Sequence, residues 1–170
     1  ADRFHVIRLV NHHFLICWKQ IDPIGSKNRG LLSLMRRHAW NLRSEKQIAT
    51  LNAYLDTIPA LRAIYEFKQE LCALLLEKHC TAKMCRKLAP QFIKVVEDLI
   101  GSNIAPLVTL GETLKEWQEE IARMWRFTKN NGITEGFHNK MEALSRRAYG
   151  FRNFKNYRLT VRVMCSGSRS

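Results

Sequence analysis

The spacing of apolar residues is the feature that most limits the fold of this chain. Apolar residues recur every three or four positions through most of the sequence before residue 130, which is the period of a helix with one buried face. Phe4, Val10, Phe14 and Trp18 define the first such face, which ends before Pro23. No clear alternating strand pattern occurs before residue 150. The sequence therefore predicts a mainly α chain, folded as a helical bundle.

Capping and turn signals divide this pattern into successive helices. Residues 44–47 have the form of a capping box, and Pro59 suits the first turn of the following helix. Thr81 is a suitable N-cap for a helix that reaches residue 100. A last long amphipathic helix is predicted over 107–128, and a basic helix over 134–149.

Basic charge is concentrated at the two ends of the chain. The formal net charge is +13, and residues 1–43 carry eight basic and two acidic side chains. Residues 44–133 carry twelve and eleven, whereas residues 134–170 again carry eight and two. We therefore divide the chain into an N-terminal basic flank, a near-neutral helical insert and a basic C-terminal segment, in which 154–165 fits a helix slightly better than a strand. Such flanks would attract a polyanion by counterion release, although a generally basic surface is the alternative.

Several other classes of protein are disfavoured by the sequence. No run of about 18 apolar residues predicts a membrane span, and the start does not resemble a signal peptide. Five cysteines without a disulfide framework suit a reducing cytoplasm. His79, Cys80 and Cys85 lack the spacing of a four-ligand zinc site, so we expect them to pack in the core. The first residue is not Met, and we expect a fragment of a longer protein.

Two acidic residues stand at predicted helix starts within the basic flanks. Asp2 precedes the helix that opens at Phe4, and Glu135 follows the N-cap Thr134. Free backbone N–H groups and the helix dipole favour negative charge at such positions, so helix capping explains both acids. Metal binding is the other interpretation. Asp22 fits turn chemistry, because it precedes a proline in a loop.

The segments around these two acids resemble a known family. D-R-F-H-V-I-R-L-V-N begins at Asp2, and N-G-I-T-E-G-F-H-N-K-M-E-A-L-S-R-R-A-Y-G-F-R-N-F covers residues 131–154. Together they resemble the C-terminal part of a DDE-type insertion-sequence transposase, whose catalytic domain has the RNase H-like fold. The second segment is the more discriminating. It departs from the family pattern at His138, where Asn is expected, and at Glu142 and Ser145, where basic residues are more usual.

The resemblance implies specific roles for residues near both ends of the chain. Asp2 would be the second catalytic carboxylate and Glu135 the third, together holding Mg²⁺ or Mn²⁺, with His5 and His138 in supporting positions. The residues expected to bind DNA are Lys140, Arg146, Arg147, Arg152, Lys155 and Arg158. The first catalytic Asp would precede residue 1 and the core sheet would be largely missing, so we expect this fragment to be inactive alone.

The resemblance also implies partners and a location. DNA would be the partner, as transposon ends and as target, in the bacterial cytoplasm and associated with the nucleoid. A homodimer is compatible with the sequence. The alternative function is a non-catalytic helical module that binds DNA or protein, in which Asp2 and Glu135 only cap helices.

Overall fold

Seven α-helices make up residues 3–126, which are the residues that this computed structural model describes. The helices are α1 (Arg3–Ile21), α2 (Arg29–Arg36), α3 (Glu45–Thr57), α4 (Pro59–Leu76), α5 (Ala82–Ile100), α6 (Ala105–Glu116) and α7 (Gln118–Arg126). Two short 3-10 turns occur at Gly25–Lys27 and Ala39–Asn41, and no strand occurs within residues 3–126. The prediction of a mainly α helical bundle is therefore confirmed. Our expectations for residues 127–170, including the choice between helix and strand at 154–165, lie outside the described residues.

The bundle is organised around α1 and α4. α1 packs against both α4 and α6, and it buries Val6, Val10 and Phe14 on one face. Phe4, predicted to belong to the buried face, is 67% exposed at the start of the helix, so that part of the prediction is wrong. α4 carries a broad stripe of large apolar side chains, as its sequence predicts, and the predicted members of that stripe are all buried: Leu61, Ile64, Tyr65, Phe67, Leu71, Leu74 and Leu75. Residues 3–43 thus share one bundle with the helices that follow. The division at residue 43, which rests on charge, stays a prediction.

Two hydrophobic clusters stabilise the bundle. The larger one joins α1, α4, α5, α6 and α7, and it includes the buried Cys80 and Cys85 in the packing role predicted for them. His79 is exposed, so the core packing predicted for it is wrong. The smaller one joins the end of α1 to α2, α3 and the start of α4, with Trp18, Leu55 and Leu61 almost fully buried. No helix within residues 3–126 is long and apolar enough to cross a membrane.

The single long helix predicted over 107–128 is wrong. α6 ends at Glu116 and α7 begins at Gln118, with Trp117 between them at φ −91° and ψ 10°. Helical backbone hydrogen bonds continue across the break. The Trp117 N–H donates to the Thr113 carbonyl oxygen at 3.1 Å, and the Ile121 N–H donates to the Trp117 carbonyl oxygen at 3.0 Å. Apolar spacing cannot register such a bend, because both sides keep the helical period and neither Pro nor Gly marks the position.

The helix starts are only partly as predicted. The Thr81 hydroxyl accepts a hydrogen bond from the Met84 N–H at 3.2 Å, which confirms Thr81 as the N-cap of α5. Ser44 precedes α3 as expected, but its side chain makes no capping hydrogen bond, so the predicted capping box is wrong. Ser44 and the first residues of α3 are exposed, and water can satisfy their free amides.

Asp22 has the turn role predicted for it. Its carboxylate accepts hydrogen bonds from the Gly25 N–H at 2.9 Å and from the Tyr54 hydroxyl at 2.7 Å. The Tyr54 oxygen in turn accepts from the Trp18 indole at 2.7 Å. The bond from Gly25, followed by that from Tyr54, lowers the pKa of Asp22. Asp22 therefore fixes the turn after α1 and links it to α3.

Candidate functional site

Only one of the predicted site residues lies within the described part of the chain. His5 is exposed on the first turn of α1, where its ring centroid lies 6.0 Å from that of Phe4. Asp2 directly precedes the described range, and Glu135 follows its end at Arg126 by nine residues. The other predicted residues also lie outside the described residues: His138, Lys140, Arg146, Arg147, Arg152, Lys155 and Arg158. The mutual placement of the two acids stays a prediction.

Arg3 joins the beginning of the bundle to its end. Its Nη2 donates hydrogen bonds to the carbonyl oxygens of Met124 at 2.7 Å and of Glu77 at 3.1 Å. Met124 lies in the last turn of α7, and Glu77 directly follows α4. Both acceptors are therefore at helix C-termini, where unsatisfied carbonyls and the helix dipole favour a cation. One guanidinium thus links the start of α1 to the ends of α4 and α7.

Trp125 holds the end of α7 from the inside. Its side chain is fully buried, and its Nε1 donates to the Leu74 carbonyl at 3.0 Å. Its own carbonyl accepts from the Cys80 N–H at 2.8 Å. The indole also packs edge-on against Phe92, with ring centroids 5.8 Å apart. The end of α7 is therefore fixed by packing as well as by hydrogen bonds.

The two predicted catalytic acids flank this junction in sequence. Asp2 is covalently next to Arg3, and Glu135 follows Met124 by eleven residues. An extended chain covers about 3.3–3.6 Å per residue, so eleven residues have ample reach to return to the start of α1. The junction is therefore compatible with one shared site.

The described residues do not form a metal site by themselves. Within 3–126, no group of three or more His, Cys, Asp or Glu side chains could hold a metal ion. What this part of the molecule offers is positioning and positive charge. All basic residues of the N-terminal flank other than Arg3 are exposed: Arg8, Lys19, Lys27, Arg29, Arg36, Arg37 and Arg43.

Two features of interest were not predicted from the sequence. The junction at Arg3 has no sequence signal, because nothing in D-R-F-H-V indicates that the arginine reaches carbonyls 74 and 121 residues away. An exposed aromatic and basic segment at 36–43 does have a signal. The letters R-R-H-A-W-N-L-R interleave rings with cations, a pattern typical of surfaces that bind nucleic acid.

Comparison with known proteins gives one family match and two curated relatives. A family model for DDE transposases of the ISL3 type, described as transposase, matches residues 1–161. The transposase for insertion sequence element IS1001 from Bordetella parapertussis is 27% identical over 135 residues, covering 79% of this chain and 32% of that protein. A Lactococcus lactis subsp. lactis protein named ATP-dependent protease is 23% identical over 172 positions, covering 94% of this chain and 50% of that protein.

The chain spans between about a third and a half of the length of these two relatives. No solved structure matches. The names of the two relatives differ, and the chain contains no G-x-x-x-x-G-K-[ST] segment of the kind that cradles nucleotide phosphates. The family match covers nearly the whole chain, and the family assignment therefore rests on it.

Proposed function

This chain belongs to the ISL3 family of DDE transposases, and on that basis we propose that it carries two catalytic acids of a DNA transposase, Asp2 and Glu135. The proposed reaction of the whole protein is metal-dependent cleavage of DNA and strand transfer. The helical bundle would be an insert between the two acids, and the catalytic domain around it would have the RNase H-like fold.

The contact between Arg3 and Met124 is the observation that carries this proposal. A bundle inserted into a catalytic domain must return the chain to the point where it left, or the domain would be split. The 2.7 Å hydrogen bond from Arg3 to the Met124 carbonyl brings the end of α7 back to the start of α1. In the sequence, Arg3 directly follows Asp2, and Met124 precedes Glu135 by eleven residues. A free-standing module that uses these acids only as caps has no need for this closure.

The chemistry of the two side chains fits a divalent cation. Carboxylate oxygens are the donors that Mg²⁺ prefers, and Mn²⁺ accepts the same set. Asp2 and Glu135 would hold the ion, which when bound stabilises charge on the attacking and leaving oxygens of a phosphodiester. His5 is exposed on the first turn of α1, three residues after Asp2, and we assign it a supporting position beside that acid. His138 stands at the equivalent spacing after Glu135.

DNA is the substrate that the charge distribution favours. The N-terminal flank exposes seven cations and has one described acid, Asp22, whose carboxylate is engaged in a turn. The C-terminal residues proposed to contact phosphates are Lys140, Arg146, Arg147, Arg152, Lys155 and Arg158. Arginine binds phosphate through two parallel N–H groups, which favours it at such contacts. Transposon ends and target DNA are both proposed ligands, and a homodimer stays a prediction.

Metal binding by the chain tests the assignment of the acids. We expect calorimetry to show that the parent chain binds Mn²⁺. Asp2→Asn and Glu135→Gln should each weaken this binding about tenfold or more, because loss of a metal ligand should cost at least as much affinity as loss of a supporting group. The double variant should be little worse than either single variant, since one ion needs both carboxylates. Glu142→Gln is the matched control, an acid of the same segment that should not matter.

The outcomes separate the two functions. If Mn²⁺ affinity is the same in all four variants while duplex DNA still binds, the acids are caps and the chain is a non-catalytic DNA-binding module. Dependence on Asp2 and Glu135 but not on Glu142 supports the transposase assignment. Binding is the chosen readout because the chain spans only 32% and 50% of its two relatives.

A further inference from the structure

The segment between α1 and α3 has an unusually one-sided charge. Residues 23–44 contain five basic side chains and no acidic one. Three of these, Arg36, Arg37 and Arg43, are exposed and surround the second 3-10 turn. None of the three has a carboxylate partner within residues 3–126. We refer to residues 36–43 as the basic turn.

An exposed tryptophan stands in the middle of the basic turn. Trp40 keeps 53% of its surface accessible, and of the described residues 30–45 it is the one large hydrophobic residue that is exposed. Its ring lies parallel to that of His38, with the centroids 4.5 Å apart and an interplanar angle of 1°. Burial and the neighbouring Lys68 charge lower the pKa of His38, so its imidazole is neutral at pH 7. The indole is thus supported on one face by an uncharged ring.

Hydrogen bonds from α4 hold the backbone of this turn in place. Gln69 accepts from the Ala39 N–H at 2.8 Å and donates to the Arg37 carbonyl at 3.3 Å. Lys68, almost fully buried, donates to the Met35 carbonyl. Leu42 packs in the smaller hydrophobic cluster on the other side of the turn. Trp40 is therefore presented by a fixed backbone and not by a loose loop.

These properties suit the recognition of an unstacked base. Surfaces that bind single-stranded nucleic acid combine cations that follow the backbone with aromatic rings on which bases stack. A ring held in advance loses little conformational freedom on binding, which favours affinity. Exposed apolar residues are common singly, but here the ring stacks on His38 and exposed arginines flank it in the sequence. A protein partner would be expected to need a larger apolar patch than one indole.

We propose that the basic turn is a DNA contact in which an unpaired base stacks on Trp40 while Arg36, Arg37 and Arg43 bind the adjoining phosphates. This inference rests on the proposed DNA-directed function and adds a contact outside the predicted C-terminal set. Gln69, which holds the turn, lies eight residues before Glu77, which receives the Arg3 hydrogen bond. Eight helical residues correspond to about 12 Å, so one DNA molecule has the length to touch both places.

Fluorescence anisotropy on the 170-residue chain tests the proposal with two labelled DNAs of the same sequence, a blunt duplex and a duplex with a four-nucleotide single-stranded overhang. Trp40→Ala should weaken binding of the overhang DNA roughly 5- to 150-fold, the range found when a stacking ring is removed, and should leave the blunt duplex nearly unchanged. Trp40→Phe should retain most of the affinity. Ile24→Ala is the matched control, since Ile24 is 84% exposed in the same basic segment.

The arginines provide a second, independent readout. Arg37→Gln and Arg43→Gln should weaken the overhang DNA more than the blunt duplex, and each should reduce the slope of log affinity against log salt for the overhang DNA by about 0.7. Lys115→Gln, at an exposed lysine of α6, should leave the slope unchanged. Overhang DNA should also quench tryptophan emission in the parent chain but much less in Trp40→Phe, because of the other three tryptophans Trp18 and Trp125 are almost fully buried and Trp117 is partly buried.

Each result decides between the proposals. If Trp40→Ala and Ile24→Ala bind the overhang DNA with equal affinity, and circular dichroism shows that both are folded, base stacking on Trp40 is overturned. The DNA-directed function is not affected by that result as long as the parent chain binds DNA. An equal loss on blunt and overhang DNA also overturns it, because a base in a duplex is not available to the ring. Absence of DNA binding by the parent chain overturns both.

Discussion

Replacing Arg3 with methionine tests the closure of the bundle most sharply. The variant keeps most of the aliphatic stem and removes the guanidinium that bonds the carbonyls of Met124 and Glu77 at 2.7 and 3.1 Å. A hydrogen bond that involves a charged group contributes about 1.5–3 kcal/mol, and less where water competes, as it does at the exposed Glu77 contact. Loss of a cation at two helix C-termini adds about 0.3–1 kcal/mol each. Because the carbonyls can rehydrate, we expect a net destabilisation of about 2 kcal/mol.

Hydrogen exchange combined with urea unfolding provides the assay. Arg3→Met should lower the urea midpoint and reduce protection in α7 by more than in α5, because the junction anchors α7 directly. Arg62→Met is the matched control. Arg62 bonds Asp56 at 2.6 Å and Glu66 at 3.5 Å, away from the junction, with 30% of its side chain exposed. Such a surface pair contributes up to about 1 kcal/mol. Equal loss of α7 protection in the two variants, or none in Arg3→Met, would refute the role of Arg3.

Three further substitutions test the packing and electrostatics of the bundle by urea unfolding. Gly111→Ala should destabilise by about 1–3 kcal/mol, because a Cβ there would lie 2.8 Å from the Leu99 Cβ, and this exceeds the gain of about 1 kcal/mol in helix propensity. Burial lowers the pKa of Lys68 from 10.5 to about 8. Between pH 7.5 and 10 the free energy of unfolding of the parent chain should therefore rise by about 2 kcal/mol relative to that of Lys68→Met. Trp125→Phe removes the indole bond to the Leu74 carbonyl and part of a fully buried ring, and should cost about 2–3 kcal/mol.

Controls make these results specific. Gly30→Ala, exposed in α2, should change stability by less than about 1 kcal/mol. The sign for Lys68 follows from proton binding: the unfolded lysine keeps its proton up to about pH 10.5, whereas the folded one loses it near 8, so the unfolded state binds more protons in this window and stability rises. Burial raises the pKa of Cys72 to about 11, which acts in the opposite direction in both chains. The neighbouring Lys68 lowers that pKa, so this opposing effect is no smaller in Lys68→Met. A constant difference between the two chains over this window would contradict the burial of a charged lysine.

Much of the helical architecture could be predicted because it depends on local periodicity. The first helix, the stripe on α4 and the cap at Thr81 all follow from residues within a few positions of one another. The bend at Trp117 could not be predicted, since it depends on where α7 must point for Trp125 to reach Leu74 and Phe92. That direction is a tertiary requirement without a local sequence signal.

The candidate site shows the same limit. The two acids were identified from motif resemblance. They flank in sequence a junction that depends on contacts of Arg3 over 74 and 121 residues. From its apolar side chain alone, Trp40 could equally be a core residue. In the structure a hydrogen bond from the Ala39 N–H to Gln69 holds the turn against α4, and the indole remains exposed. Periodicity identifies which residues are apolar, whereas long-range hydrogen bonds decide which of them stay exposed.

The most direct test of the central claim is anomalous X-ray diffraction from crystals of the protein soaked in Mn²⁺. The account predicts Mn²⁺ bound by carboxylate oxygens of both Asp2 and Glu135, at about 2.0–2.3 Å from an ion or from either of two ions that lie about 3.5–4 Å apart. Ordered carboxylates more than about 10 Å apart, with no Mn²⁺ shared between them, would contradict it.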